Sequence, residues 1–343
     1  MPTTYAIPDG RTVMAATLYT GNGTTQSIAN TVNGISFQPD FVWIKVRSAA
    51  ATDHYLADAV RGATKFLQSN TTAAEGTNNG LTAFNSNGFS VGTLGDTNAN
   101  TATLVGWQWN AGGSTVTNTS GSISSQVSAN PTAGFSVVTY TGTGANATVG
   151  HGLGVAPKMI IVKERNRAIE GWIVYTSTTG AGNILVLNST AASSAAGAWN
   201  STAPTSTVFT VGGASATNVN NSTTYVAYCW AAVAGYSAFG SYTGNGSNDG
   251  PFIYLGFRPR FVLIKSSTSA ENWWLLDSAR DPYNVASAYL HPNTSGAESS
   301  FATVDFLSNG FKLRYNGAAV NPSGATLIYA AFAENPLKYA NAR

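Results

Sequence analysis

Short apolar runs separated by Gly, Asn, Ser and Thr set the pattern of this chain. In Phe41-Val42-Trp43-Ile44 every position is apolar, and the run is too short for a helix to be the better reading. Its β-branched and aromatic content predicts a strand covered on both faces. Pro39 fits just ahead of it, where no ladder donor is lost. Val137-Val138-Thr139-Tyr140 and Ile184-Leu185-Val186-Leu187 add further strand candidates. No segment carries a sustained 3.6-residue apolar stripe; Ala57 to Gln68 comes nearest and is the one place where a short helix is expected.

The pattern repeats three times. Tyr19-Thr20-Gly21-Asn22-Gly23 recurs as Tyr140-Thr141-Gly142-Thr143-Gly144 and as Tyr242-Thr243-Gly244-Asn245-Gly246. Each is followed by a Pro-led apolar run closing on lysine: Pro39 to Lys45, Pro157 to Lys163, Pro259 to Lys265. Ser86-Asn87-Gly88-Phe89 matches Ser308-Asn309-Gly310-Phe311, and the middle copy has Thr207-Val208-Phe209 there. Asn-Gly between apolar residues is a strong hairpin signal. Aromatic-rich runs close each unit at Leu104 to Trp109, Tyr225 to Trp230 and Leu327 to Phe332.

Three landmarks in one order, three times over, mark an internal repeat. The predicted fold is all-β, with three tandem β-sandwich, jelly-roll-like domains in series. They span 16–113, 131–234 and 235–343, with an N-terminal arm at 1–15 and a linker or loose hairpin at 114–130. The second and third units meet near Ala234-Gly235 almost without a linker, which predicts a fixed mutual orientation. The three closing lysines occupy one structural place, and no acid recurs at a matching place in every copy. Exposed strand-end lysines are expected.

Composition narrows the function classes. Charged residues make up 9% of the chain, against roughly 25% in ordinary soluble proteins. With aromatics at 11%, the chain does not have the composition of a disordered one. The formal charge of +2 contains no basic block to neutralise a row of phosphates, which argues against nucleic acid as a partner. The longest apolar run, Tyr225 to Val233, covers about half of the ~20 residues a membrane helix needs, so no membrane insertion is expected. The opening residues show no basic head followed by an apolar stretch, and so no secretory signal. One cysteine, Cys229, excludes an internal disulfide and reads as a buried thiol.

Candidate chemistry is sparse. His54, His151 and His291 fall at unrelated places in the three units, read as turn or surface residues, and form no pair at metal-ligand spacing. No nucleophile elbow, phosphate loop or nucleotide fingerprint appears. Acids cluster loosely at Asp277, Asp281, Glu298 and Asp305, with partial counterparts at Asp53, Asp58 and Glu75, while the middle unit offers Glu164 and Glu170. No pair stands out for glycan hydrolysis. No catalytic residue, metal or cofactor is expected. One loop suggests a binding site: an acid, one residue and an aromatic follow each landmark strand, as Asp53 and Tyr55, Glu170 and Trp172, Glu271 and Trp273. An aromatic face beside a carboxylate can hold a sugar. The competing and favoured reading is that each aromatic opens the next strand and packs inward.

These landmarks, together with Asp58-Ala59-Val60-Arg61-Gly62, Asp277-Ser278-Ala279-Arg280 and the ending Ala331-Phe332-Ala333-Glu334-Asn335-Pro336, resemble a repeat domain of tailed phages. That domain is common in marine and cyanobacterial phages, in tail-fibre and virion structural proteins. The likeness covers nearly the whole chain beyond the first dozen residues. The middle copy departs most, lacking the Asp-x-x-Arg and Asn-Gly elements. The resemblance implies a non-enzymatic structural component of the virion, made in the host cytoplasm. A tail-associated fibre or adhesin protein contacting the host surface is the first expectation. A head decoration protein is the second, and a glycan-degrading tailspike a distant third. Relatives often carry a lectin-like sandwich ahead of the repeats and none precedes them here, which favours an architectural role. The expected partners are other virion proteins, host surface glycan and the chain itself, with a homotrimer favoured and the arm at 1–15 as anchor.

Overall fold

A computed structural model describes residues 6–213 and 215–335. Strands dominate, and the helical content is a few single turns. Each repeat opens with a strand that pairs with the repeat's last strand, which in turn pairs with the third, which pairs with the fourth. In the first repeat these are Met14–Thr20, Thr103–Trp109, Phe41–Val46 and Tyr55–Asp58. The same order holds for Phe135–Thr141, Thr224–Trp230, Met159–Glu164 and Ile173–Thr176, and for Ser237–Thr243, Thr326–Asn335, Arg258–Ser266 and Trp274–Asp277.

A second, smaller sheet closes each sandwich. There the second strand pairs with the strand that carries the landmark phenylalanine: Gln26–Ala29 with Gly88–Val91, Ala147–Gly150 with Val208–Val211, and Phe252–Tyr254 with Gly310–Leu313. First with last and second with next-to-last is jelly-roll-like nesting. The hairpin joining third and fourth strands within one sheet departs from it.

The registers define equivalent positions. Phe41, Met159 and Phe261 face Trp109, Trp230 and Phe332 on one side and Asp58, Thr176 and Asp277 on the other. Side chains alternate along a strand, and both faces of these strands are apolar for different reasons. Val42, Ile44 and Val46 fill the first repeat's own sandwich with Phe89 and Leu104. Phe41 and Trp43 point the other way, into a core shared with Met159 and Ile161 of the second repeat and Phe261 and Leu263 of the third. The three large sheets therefore back onto one another around a common axis. The sandwiches are not beads in series; they form a closed, pseudo-threefold body.

Aromatics hold that axis. Trp109 meets Trp230 at 6.2 Å and Phe332 at 5.6 Å, and Phe41 stacks on Tyr228 at 4.3 Å. Such pairs contribute about 0.5–1.5 kcal/mol each beyond their buried area. A cavity of about 20 Å³ remains where the sheets converge, lined by Trp43, Met159 and Leu263 among others.

The structure corrects several sequence expectations. The span Ala57 to Gln68 is not a helix: it holds the end of one strand, a turn and the short strand Lys65–Phe66. The chain turns after Asp58, whose carboxylate accepts the Arg61 N–H, and Gly62 takes φ 103°, outside the helical range. The stretch 114–130, expected as a linker or a loose hairpin, is the second of these: Val116–Asn118 pairs with Ser125–Asn130, which adds to the edge of Phe135–Thr141. Of the arm at 1–15, residues 1–5 lie outside the described residues. Beyond them Ile7 and Val13 pack in the shared core, and Met14 already begins a strand.

Candidate functional site

The Tyr-Thr-Gly landmark is explained by one buried asparagine per repeat. Asn98, Asn218 and Asn321 are fully buried. Each accepts the backbone N–H of Asn22, Thr143 or Asn245 and donates back into the same loop. The tyrosine hydroxyls donate to the carbonyls one residue earlier, Tyr19 to Thr97, Tyr140 to Thr217 and Tyr242 to Val320, each at 2.7 Å. Glycine is required because the chain crosses itself there: a Cβ on Gly21 would lie 2.1 Å from the carbonyl oxygen of Ala99. Sequence reading missed these asparagines. Their nearly constant distance from the tyrosine landmark, 79, 78 and 79 residues, was the available signal.

The landmark lysines are not exposed, which corrects the sequence expectation. Lys45, Lys163 and Lys265 are fully buried and face the shared interior. Lys45 donates to Val46 O, to Thr52 Oγ1 and, across the repeat boundary, to Ser295 O. Lys163 reaches Thr72 O of the first repeat, and Lys265 bonds Ser266 O and Ser269 O. Burial pushes each of the three ammonium groups down to about 8. Backbone carbonyls take the place of the missing acids.

Each repeat also reaches its neighbour through one ring. Trp172 Nε1 donates to Gln68 O, Trp273 Nε1 to Val186 O, and His54 Nε2 bonds His291 O. His54 is the register equivalent of Trp172 and Trp273, since Tyr55 pairs with Ile44 as Ile173 does with Val162 and Trp274 with Ile264. The sugar-site triplets were thus aligned one residue off in the first unit. His54 Nδ1 accepts from Trp43 Nε1 at 2.9 Å, so Nε2 carries the proton. Burial lowers its pKa well below the usual histidine range. His151 is buried too, and His291 is half-buried with Nδ1 on Trp273 O, so none of the three is a surface histidine.

The rings of Tyr55, Trp172 and Trp273 are buried and offer no open face to a sugar. Asp53, Glu170 and Glu271 are half-buried beside them. Asp53 accepts from Gln68 and Asn70 in its own repeat. The proposed acid-and-ring platform is therefore not assembled.

The acids that matter stand elsewhere, at two of the three repeat boundaries. Asp58 and Arg61 form a fully buried pair, Glu75 joins Arg61 at 3.1 Å, and Glu75 also grips Arg165 of the middle repeat at 2.8 Å. Asp277 and Arg280 repeat the arrangement, with Glu298 bridging Arg280 at 3.0 Å and Arg47 of the first repeat at 2.7 Å. A ring from the neighbouring repeat caps each carboxylate: Tyr228 Oη on Asp58 and Trp107 Nε1 on Asp277. Burial, the largest single influence, raises the Glu75 and Asp277 carboxyls, but the charges and hydrogen bonds of the neighbouring arginines together outweigh it and hold both below their ordinary range.

At the third boundary every equivalent is neutral. Thr176 and Thr179 replace Asp and Arg and bond each other at 3.0 Å, Ala330 replaces the capping ring, and Ser193 meets Ser267 where Glu meets Arg. The backbone bond at that point is kept at all three boundaries: Glu75 N to Arg165 O, Glu298 N to Arg47 O and Ser193 N to Ser267 O. Both sides of the contact have lost charge together, which leaves no buried ion stranded.

Among the described residues, no group of three or more His, Cys, Asp or Glu is placed to hold a metal ion, and no helix is long and apolar enough to cross a membrane. The Cys229 thiol is buried, and burial raises its pKa strongly. A groove of about 460 Å³ lies between the first and third repeats, walled by Ala16, Leu18, Val32, Ser278 and Pro282.

Residues 9–336 match the family described as Domain of unknown function (DUF7483), and the chain belongs to that family. No curated protein matches it.

Proposed function

We propose that this DUF7483 chain is a structural component of a tailed-phage particle, a tail-associated fibre or adhesin element. The observation that carries the reading is the closed pseudo-threefold core. Phe41, Met159 and Phe261 of one chain converge as the matching residues of a homotrimer would. Fusion makes association of the three units intramolecular, so the body persists at any concentration. Surfaces that would otherwise trimerise the repeats are already buried inside one chain. The favoured homotrimer therefore becomes a single-chain pseudotrimer suited to a threefold partner. The resemblance of the landmarks to tailed-phage repeats supplies the particle; the polar networks at two boundaries supply rigidity without reaction chemistry. Direct contact with host glycan is left without its ring platform, so the architectural part of the reading is the stronger.

A second reading, a head decoration protein, draws on the same symmetry: a pseudo-threefold body fits a local threefold axis of a shell. Immunogold labelling of purified particles separates the two. Label at the tail, with few copies per particle on a quantified gel, is the expected result. Label over the shell, at a copy number comparable with the shell protein, would move the chain to the head. Absence from purified particles would sink both.

A further inference from the structure

We propose that the outer edge of the first repeat's large sheet is a docking site for an extended, uncharged strand of another protein. Met14–Thr20 ends its sheet: it pairs with Thr103–Trp109 on one side and, among the described residues, with no strand on the other. An edge strand presents a row of backbone donors and acceptors that a further strand can satisfy. The 460 Å³ groove runs beside this edge. Leu18 and Val32 line it and stand 40% and 42% exposed. Arg260 crosses one end, its Nη2 donating to Ala16 O at 3.0 Å.

The middle repeat shows what fits. Val149 pairs with Phe209 as Ile28 pairs with Phe89, so Gly150–Leu153 are the counterparts of Ala29–Val32. Val138 likewise corresponds to Thr17. There the edge is occupied: Ser125–Asn130 lies antiparallel on Phe135–Thr141, with Val127 opposite Val138. Ser125 Oγ donates to Gly150 O at 3.0 Å. A Cβ on Gly152, the counterpart of Thr31, would lie 3.0 Å from Ala129 Cβ. The occupant is thus a strand without charge, with Val and Ala turned to the loop and a serine hydroxyl on its carbonyl. In the first repeat the same edge is present and the strand is not; the loop beside it is three residues longer and turns back on itself where Val32 bridges Ile35. The inferred partner segment has this chemistry: small, β-branched and hydroxylated residues in extended form.

The test uses the full chain and the peptide GSISSQVSAN, the chain's own residues 121–130. Calorimetric titration is expected to show saturable one-to-one binding. Leu18→Lys and Val32→Lys should each weaken it roughly tenfold or more, equivalent to about 1.4 kcal/mol, without moving the thermal midpoint. Neighbouring strand residues point to opposite faces. A Thr31→Cys chain should therefore capture the peptide with cysteine in place of Ala129 as a disulfide in preference to one with cysteine in place of Ser128. No saturable binding, binding untouched by both lysine variants, or capture without preference would overturn the proposal. Self-association of the chain that Val32→Lys abolishes would give the edge to a second copy and overturn the partner as stated.

Discussion

The hydroxyl of Tyr228, in the middle repeat, donates to the Asp58 carboxylate of the first at 2.8 Å. The same hydroxyl also accepts from Arg61 Nη2 at 3.1 Å, so a single oxygen caps a buried ion pair from across a boundary. Tyr228→Phe leaves both ions short of a partner and is expected to destabilise by about 1–3 kcal/mol. Asp58→Ala strands Arg61 in the interior and should cost about 3–5 kcal/mol. Thr176→Ala, at the neutral counterpart, should cost about 1 kcal/mol. Denaturant unfolding of the three variants checks the order; a Thr176 effect equal to that of Asp58 would refute it.

The asparagine latches should behave alike in the three repeats. Asn98→Ala, Asn218→Ala and Asn321→Ala each leave loop groups buried without partners, for an expected loss of about 1–3 kcal/mol. Gly21→Ala must push its Cβ out of the Ala99 carbonyl, and overpacking of that kind costs typically about 1–3 kcal/mol. Hydrogen exchange should show the loss localised to the loop beginning at Gly21. Unchanged protection there would refute the latch.

Stability should fall on acidification in two stages. His54, His151 and His291 all have folded pKa values below the free value of 6.5. The unfolded chain then binds protons first, so the histidine contribution is full above 6.5 and declines as pH drops below it. Glu75 and Asp277 also have lowered values, from 4.5 and 3.8, and add a second, more acidic loss as the pH falls below those. Thermal midpoints across this range should slope downward towards acid. A flat profile between pH 7 and 5 would contradict the buried neutral histidines.

Because Phe41, Met159 and Phe261 share one core, the chain should unfold in a single calorimetric transition. Phe261→Ala is expected to cost about 3–5 kcal/mol and to lower the protection of all three repeats. Separate transitions for the repeats would show that the shared core does not couple them.

Much of this body was legible in the sequence. Strand runs, the threefold repetition and coverage of Phe41–Ile44 on both faces follow from apolar content and spacing, which are local properties. Burial of Trp172 and Trp273 was the favoured reading, and it holds. The burial of Lys45 was not legible, because a lysine at a strand end looks the same whether water or a neighbour's carbonyl meets it. The bridging role of Glu75 and Glu298 was hidden too: they sit at different distances from their Asp-x-x-Arg elements, so no motif aligned them.

What the sequence determined by itself is the unit, an all-β sandwich written three times. Local chemistry fixes strands and turns, because period, β-branching and glycine placement act within a few residues. What covers the second face of Phe41 and Trp43 was decided only in three dimensions. An apolar face demands burial without naming the partner, and its own chain, another subunit or a ligand would satisfy it equally. Here Met159 and Phe261 close over it, and three sandwiches become one body.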